Sequence, residues 1–134
     1  AGLPFHQGFL NYFDNAQNAF VSAYRKYSKD NSFNIKVEYI STCELTGKTL
    51  IIADPMLATG NSAVAAVDTL LKRGVKPKDI TFVALVSAPE GVETFQKAHP
   101  EIELYVASLD EKLDKNAYIL PGLGDAGDRI FGTK

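Results

Sequence analysis

From Thr49 onward the apolar positions fall into a regular alternation of short continuous runs and helical spacings. TLIIAD (Thr49–Asp54) is a continuous apolar run that predicts a strand covered on both faces. SAVAAVDTLLKRG (Ser62–Gly74) places Val64, Val67 and Leu71 at helical spacing, with Gly74 as a C-terminal stop. ITFVALVS (Ile80–Ser87) predicts a second buried strand. PEGVETFQKAHP (Pro89–Pro100) predicts a helix with Pro89 near its first turn and Pro100 past its end. IELYVASL (Ile102–Leu109) predicts a third strand. Strands alternating with helices across short loops imply right-handed crossovers and a parallel sheet, hence an α/β fold.

The pattern before Thr49 is less regular. Pro4–Phe13 predicts a short helix with Phe5, Phe9 and Leu10 on one side, and Asp14-Asn15-Ala16 its exit turn. AFVSAYRKY (Ala19–Tyr27) predicts a strand ending near Arg25, and KDNSFN (Lys29–Asn34) a turn. IKVEYIS alternates Ile35, Val37 and Tyr39 as a half-exposed strand does.

The 134 residues suffice for one domain spanning the chain, 1–134, with a sizeable core. Hydrophobic residues make up 46% and charged residues 22%, a globular composition that argues against disorder. A net charge of −2 gives no reason to expect nucleic acid or a membrane surface as partner. Apolar runs are broken by charge well short of the roughly 20 residues of a bilayer span. No leader-like segment is present, and the single Cys43 cannot form an internal disulfide, so a cytoplasmic compartment is expected. The chain begins AGLPFHQGF without an initiator Met, which predicts a processed or truncated chain.

Candidate chemistry concentrates at the end of the first regular strand, in DPMLATGNS (Asp54–Ser62). Ligands of open α/β sheets bind beyond the carboxyl ends of the strands. Small residues at Ala58-Thr59-Gly60-Asn61-Ser62 allow backbone N–H groups to approach an oxyanion, and Thr59 and Ser62 add hydroxyl donors. The following helix presents unpaired N–H groups and the positive end of its dipole. A structural alternative is that Asn61 or Ser62 caps the helix. Likewise, Asp54 has an alternative use as a local turn acceptor across Pro55.

Two motif fragments fail their context. In Gly47-Lys48-Thr49 the position five before Gly47 is Thr42, and a strand follows rather than precedes, so the fragment is an ordinary turn. GLGDAG (Gly122–Gly127) matches a dinucleotide fingerprint but has only seven residues after it, too few for a βαβ unit. YILPGLGDAGDRIFGTK is instead expected to be an ordered loop, anchored by Tyr118, Ile119, Leu120, Leu123, Ile130 and Phe131. Its glycines allow main-chain groups to face a flat ligand. His6 and His99 are expected at the surface or a helix end, Cys43 as a filler, and the acids of SLDEKLDK on a solvated face.

Taken together, DPMLATGNSA, PEGV followed by AHP, and PGLGDAGDRIFGT resemble the uracil phosphoribosyltransferase family. The resemblance is close from Asp54 to the end and looser from Ala1 to Thr46. It implies a type I phosphoribosyltransferase-like fold, a mainly parallel sheet flanked by helices and lacking the family's N-terminal elements. AGL at the start resembles the tail of an Arg-Ala-Gly element without its arginine, and Asn61 stands where family members commonly have Gly.

The resemblance further implies a function: transfer of the phosphoribosyl group from 5-phosphoribosyl 1-diphosphate (PRPP) to uracil, giving UMP and diphosphate. Arg25, Asp54, Pro55, Met56, Leu57, Ala58, Thr59, Gly60, Asn61, Ser62 and Asp125 would bind PRPP. Ile119, Gly124, Asp125 and Ala126 would bind uracil, largely through backbone groups. Asp54 and Asp125 would be catalytic, stabilising the cationic ribose or ordering Mg²⁺ carried by the diphosphate. The small-molecule partners are uracil and PRPP, and self-association is expected. An alternative reading is a non-catalytic nucleotide- or phosphate-binding regulatory module on the same fold.

Overall fold

In the computed structural model the backbone is described for residues 1–27 and 33–133, and side chains for residues 1–22 and 39–133. Helix α1 (Gly2–Leu10) is followed by strands β1 (Phe20–Tyr27) and β2 (Phe33–Ser41). These pair antiparallel, with an irregularity between Ser22 and Ala23. The turn expected over Lys29–Asn34 falls mostly on residues 28–32, outside the described residues. The remaining elements are β3 (Leu50–Leu57), α2 (Asn61–Leu71), β4 (Ile80–Ser87), α3 (Pro89–Ala98), β5 (Glu103–Leu109), the short strands β6 (Lys112–Leu113) and β7 (Ile119–Leu120), and α4 (Ala126–Phe131).

Strands β3, β4 and β5 form a parallel sheet in that order. Two right-handed crossovers running the same way across a sheet place both helices on one face, and α2 and α3 do lie against each other. Beneath them sits the core. Phe82 of β4 meets Phe95 of α3 with ring centroids 4.7 Å apart, and Val67 and Leu70 of α2 complete the layer. Helix α2 ends in a Schellman arrangement: Gly74 N–H donates to Leu71 O (2.9 Å) and Val75 N–H to Leu70 O (3.3 Å). Gly74 takes φ +88°, which is why glycine closes this helix.

The expectation that TLIIAD is covered on both faces needs correction. Among the described residues the second face is only partly covered, with Ile51 44% and Leu85 41% exposed. A continuous apolar run reports how many residues are apolar, not how many faces are covered. Helix α1 packs against β3 and covers part of the sheet's carboxyl end. Cys43 packs on the core as a filler. Lys48 bonds Gln17 and the Glu44 carbonyl in an ordinary turn after Gly47.

Candidate functional site

The strand β3 runs three residues beyond Asp54, so this acid lies within the strand rather than at its tip. Asp54 pairs in register with Ala84 and is part-buried; its Oδ1 accepts from Met56 N–H at 3.2 Å. The alternative local use of this carboxylate, across Pro55, is thus realised. Removal from water is the largest influence on the group and raises its pKa above the ordinary carboxylate value, against the Met56 hydrogen bond. Pro55 has no N–H to donate and is tolerated because β3 is an edge strand of the described sheet.

Beyond Leu57 the chain turns into α2 through Gly60, the N-cap residue at φ +80°, and no side chain caps the helix. The capping alternative for Asn61 and Ser62 therefore fails; both are exposed in the first turn. The earliest N–H groups of such a helix have no acceptor within it. The loop is shaped by close backbone packing against the start of α3. A Cβ on Gly60 would lie 2.7 Å from Gly91 O, and one on Gly91 would lie 2.4 Å from Ala58 O and 2.6 Å from Leu57 O. This explains PEGV physically: Gly91 is the surface on which the 57–60 loop rests.

The C-terminal segment is ordered, as expected, though more regular than a loop. GLGDAG does open a helix, α4, but one of only six residues. Asp125 is its N-cap, with Oδ1 accepting from Asp128 N–H at 2.9 Å. Arg129 Nε–H donates to Leu123 O. Gly122 (φ +51°) and Gly124 (φ +78°) adopt left-handed conformations that explain their identity. Ile119 is buried, only 1% exposed.

The acids of SLDEKLDK require a second correction, since they do not all form a solvated face. Asp114 Oδ1 accepts from Asn116 N–H (2.8 Å) and Tyr118 N–H (2.9 Å), and Asp110 Oδ2 accepts from Gly122 N–H (2.8 Å). Charge pattern along a chain cannot distinguish an acid facing water from one facing turn amides.

Between α1, the carboxyl ends of β3 and β4, and α4 lies an apolar cleft of about 490 Å³. It brings Pro55 and Met56, from the first motif, together with Leu123 and Ala126, from the last. Sequence reasoning missed Phe5 of α1, Leu85, Val86 and Arg129, which also line it. Position at a strand's carboxyl end is a usable signal for Leu85 and Val86; nothing local marks Phe5. Asp54, Leu57–Ser62, Ile119, Gly124 and Asp125 stand outside the cleft lining. Arg25 is placed by backbone in β1 opposite Ile35, and its side chain is outside the described residues. His6 is half-buried and bonds Asn18 (2.6 Å); His99 ends α3 with its side chain only 9% exposed, 3.3 Å from Asp68. Among the described residues no three His, Cys, Asp or Glu side chains gather as a metal site.

A profile described as uracil phosphoribosyltransferase matches residues 1–133. This chain belongs to that family. A uracil phosphoribosyltransferase of Porphyromonas gingivalis is 48% identical over 135 aligned residues, covering 100% of this chain and 62% of the relative. The enzyme of that name from Ralstonia pickettii is 52% identical, covering 100% of this chain and 60% of the relative. The solved structure of the AQ2163 protein from Aquifex aeolicus superposes with a TM-score of 0.86 at 34% identity, covering 100% of this chain and 62% of that one. The chain therefore spans about three fifths of the length of the uracil phosphoribosyltransferases it matches.

Proposed function

We propose that the protein transfers the phosphoribosyl group of PRPP to uracil, giving UMP and diphosphate. Support comes first from the shared cleft, where the phosphate-loop strand and the C-terminal loop meet at Pro55, Met56, Leu123 and Ala126. A cavity of this size and apolar character suits a flat base, with polar recognition left to a few main-chain groups. Family membership supplies the substrate class.

In this reading the exposed first turn of α2 receives the 5-phosphate. Thr59 and Ser62 supply hydroxyl hydrogen bonds beside the N–H groups of residues 61–63. Uracil lies against the 119–126 loop, read by main-chain groups of Ile119, Gly124 and Ala126. N1 of uracil attacks the anomeric carbon as the bond to diphosphate breaks, and the base's N1 proton is lost. Positive charge develops on the ribose, so catalysis rests on alignment and charge stabilisation rather than a covalent nucleophile.

Asp54 and Asp125 are the carboxylates proposed to face that charge. Magnesium is proposed to arrive on the diphosphate, since Mg²⁺ typically uses one or two carboxylates plus substrate phosphates rather than a protein cage. Arg25 is the proposed diphosphate contact. Self-association and a cytoplasmic setting are part of the same proposal; no described helix is long and apolar enough to cross a membrane.

The test is a UMP-formation assay with PRPP, Mg²⁺ and radiolabelled uracil, paired with calorimetric titration of each substrate. Binding of PRPP and uracil with UMP appearing is the expected result. PRPP binding without any UMP would favour the regulatory-module alternative. A folded protein that binds neither substrate would overturn the assignment.

A further inference from the structure

Asp110 follows directly on β5, where its backbone N–H donates to Ser87 O (2.8 Å) at the end of β4. Its carboxylate is part-buried and already engaged at both oxygens: Ser108 Oγ–H donates to Oδ1 (2.9 Å) and Gly122 N–H to Oδ2 (2.8 Å). The next residue, Glu111, donates its N–H to Leu120 O (2.8 Å). One short segment thus grips the sheet's carboxyl edge with its backbone and the turn at 119–122 with its side chain.

That turn is tight. A Cβ on Gly122 would lie 1.9 Å from Ile119 O, so Gly122 sits hard against the carbonyl of the residue that begins the base-reading loop. The Gly122 amide is held by a charged acceptor, the stronger class of hydrogen bond. Immediately after it come Leu123 and Ala126, which line the cleft, and Gly124.

We infer that Asp110 is a positioning residue for uracil: it carries the geometry of the sheet edge to the main-chain groups of residues 119–126. The inference rests on the uracil reading above. Asp110 touches no reacting atom. Removing its carboxylate frees the Gly122 amide and lets the loop sample shapes that no longer match the base. The phosphate loop, fixed separately on Gly91, keeps its own geometry.

Asp110→Ala and Asp110→Asn test this in parallel. Asn retains one oxygen able to accept from Gly122 N–H and an amide able to meet Ser108 Oγ, so it should rescue most of the effect. In Asp110→Ala, KM for uracil should rise about tenfold or more, the scale of one hydrogen bond to a charged group. KM for PRPP should rise by less than KM for uracil, because the phosphate loop rests on Gly91 and only Asp125 follows the disturbed turn. Amide hydrogen exchange, read without any ligand, should accelerate about tenfold or more at Gly122 and its neighbours while Ile80–Ser87 stays protected.

An unchanged uracil KM in the Ala variant would overturn the inference, whatever the exchange shows. So would a loss of protection spreading through β4, which marks a general folding role. If the wild type does not use uracil, both the substrate reading and Asp110's role toward that base fall. The exchange arm then still decides whether Asp110 anchors the loop, separating the two failures.

Discussion

Residues 57–62 and residues 119–126 both lie at the carboxyl edge of the sheet and both depend on glycine, yet they are fixed by different physics. The first loop rests on a distant element. Gly60 and Gly91, 31 residues apart in sequence, let two backbones approach so closely that neither can carry a Cβ without collision. The second is held by its own turn and by carboxylates: Asp110 on Gly122, Asp114 on Tyr118 and Asp125 on Asp128. Steric fixation is rigid and fails abruptly, because backbone atoms cannot move aside alone. Hydrogen-bonded fixation is graded, since each acceptor can be removed separately and exposed N–H groups then turn to water. A loop built the first way suits a ligand part that never varies, such as a phosphate. The second way suits a loop that must match a base edge.

The sharpest way to break this contrast is Gly91→Ala. Its new Cβ would meet the carbonyls of Ala58 and Leu57, so we expect a loss of about 3 kcal/mol, read by urea unfolding. A loss below about 1 kcal/mol would mean that the 57–60 loop is pliable and the comparison mistaken. The same variant should lose PRPP affinity before uracil affinity.

Ser62→Ala and Thr59→Ala sharpen the contrast from the ligand side. Neither hydroxyl caps α2, so unfolding midpoints should barely change. PRPP affinity should fall by about 1.5–3 kcal/mol for each bond lost to a charged group, measured by calorimetry. Unchanged affinity in both variants would remove the hydroxyls from the phosphate site.

Asp125→Ala probes the graded loop. Loss of an N-cap acceptor costs about 1 kcal/mol, and it should appear as fraying confined to α4, visible by hydrogen exchange. Asp125→Asn keeps an acceptor for Asp128 N–H, so its stability should be close to wild type. If turnover also survives in Asp125→Asn, the residue is a cap and not a catalytic carboxylate.

The smallest expected effect on stability is a gain. Desolvation raises the Asp54 pKa in the folded state above its unfolded value. The folded chain therefore binds the proton more tightly than the unfolded chain. That contribution to stability is fully present below the ordinary carboxylate pKa and is lost as pH rises through the raised folded value. Asp54→Asn removes the buried charge and keeps an acceptor for Met56 N–H, so its melting temperature at pH 7 should exceed wild type. The gap should narrow as pH falls through the raised folded value and be gone below about 3.8, the ordinary carboxylate value. Turnover should drop in the same variant. A lower melting temperature at pH 7 would show that the Asp54 charge supports the fold.

The order and type of β3, α2, β4, α3 and β5 were legible because each signal is local: a continuous apolar run, helical spacing at Val64, Val67 and Leu71, a stop at Gly74. Two of the segments that line the cleft, the end of β3 and the glycine-rich end, were legible as candidates for the same reason. What Asp54 does within its strand was not legible, since Asp-Pro-Met is compatible with a strand tip or a strand interior. Helix α4 was hidden behind GLGDAG, whose glycines disfavour a helix until the Asp125 cap and Gly132 end are in place.

The sequence by itself determined the order and type of β3, α2, β4, α3 and β5 and marked two segments as candidates for chemistry, because periodicity and turn residues act over a few neighbours. Only the tertiary structure decided what those segments touch. It made Gly91 the seat of a loop some 30 residues earlier, turned Asp110 from a surface acid into a backbone acceptor, and built the cleft wall from Phe5. Contacts of that kind depend on the relative placement of elements far apart in the chain. A glycine, an aspartate or a phenylalanine looks the same in sequence whether its partner is solvent or another backbone.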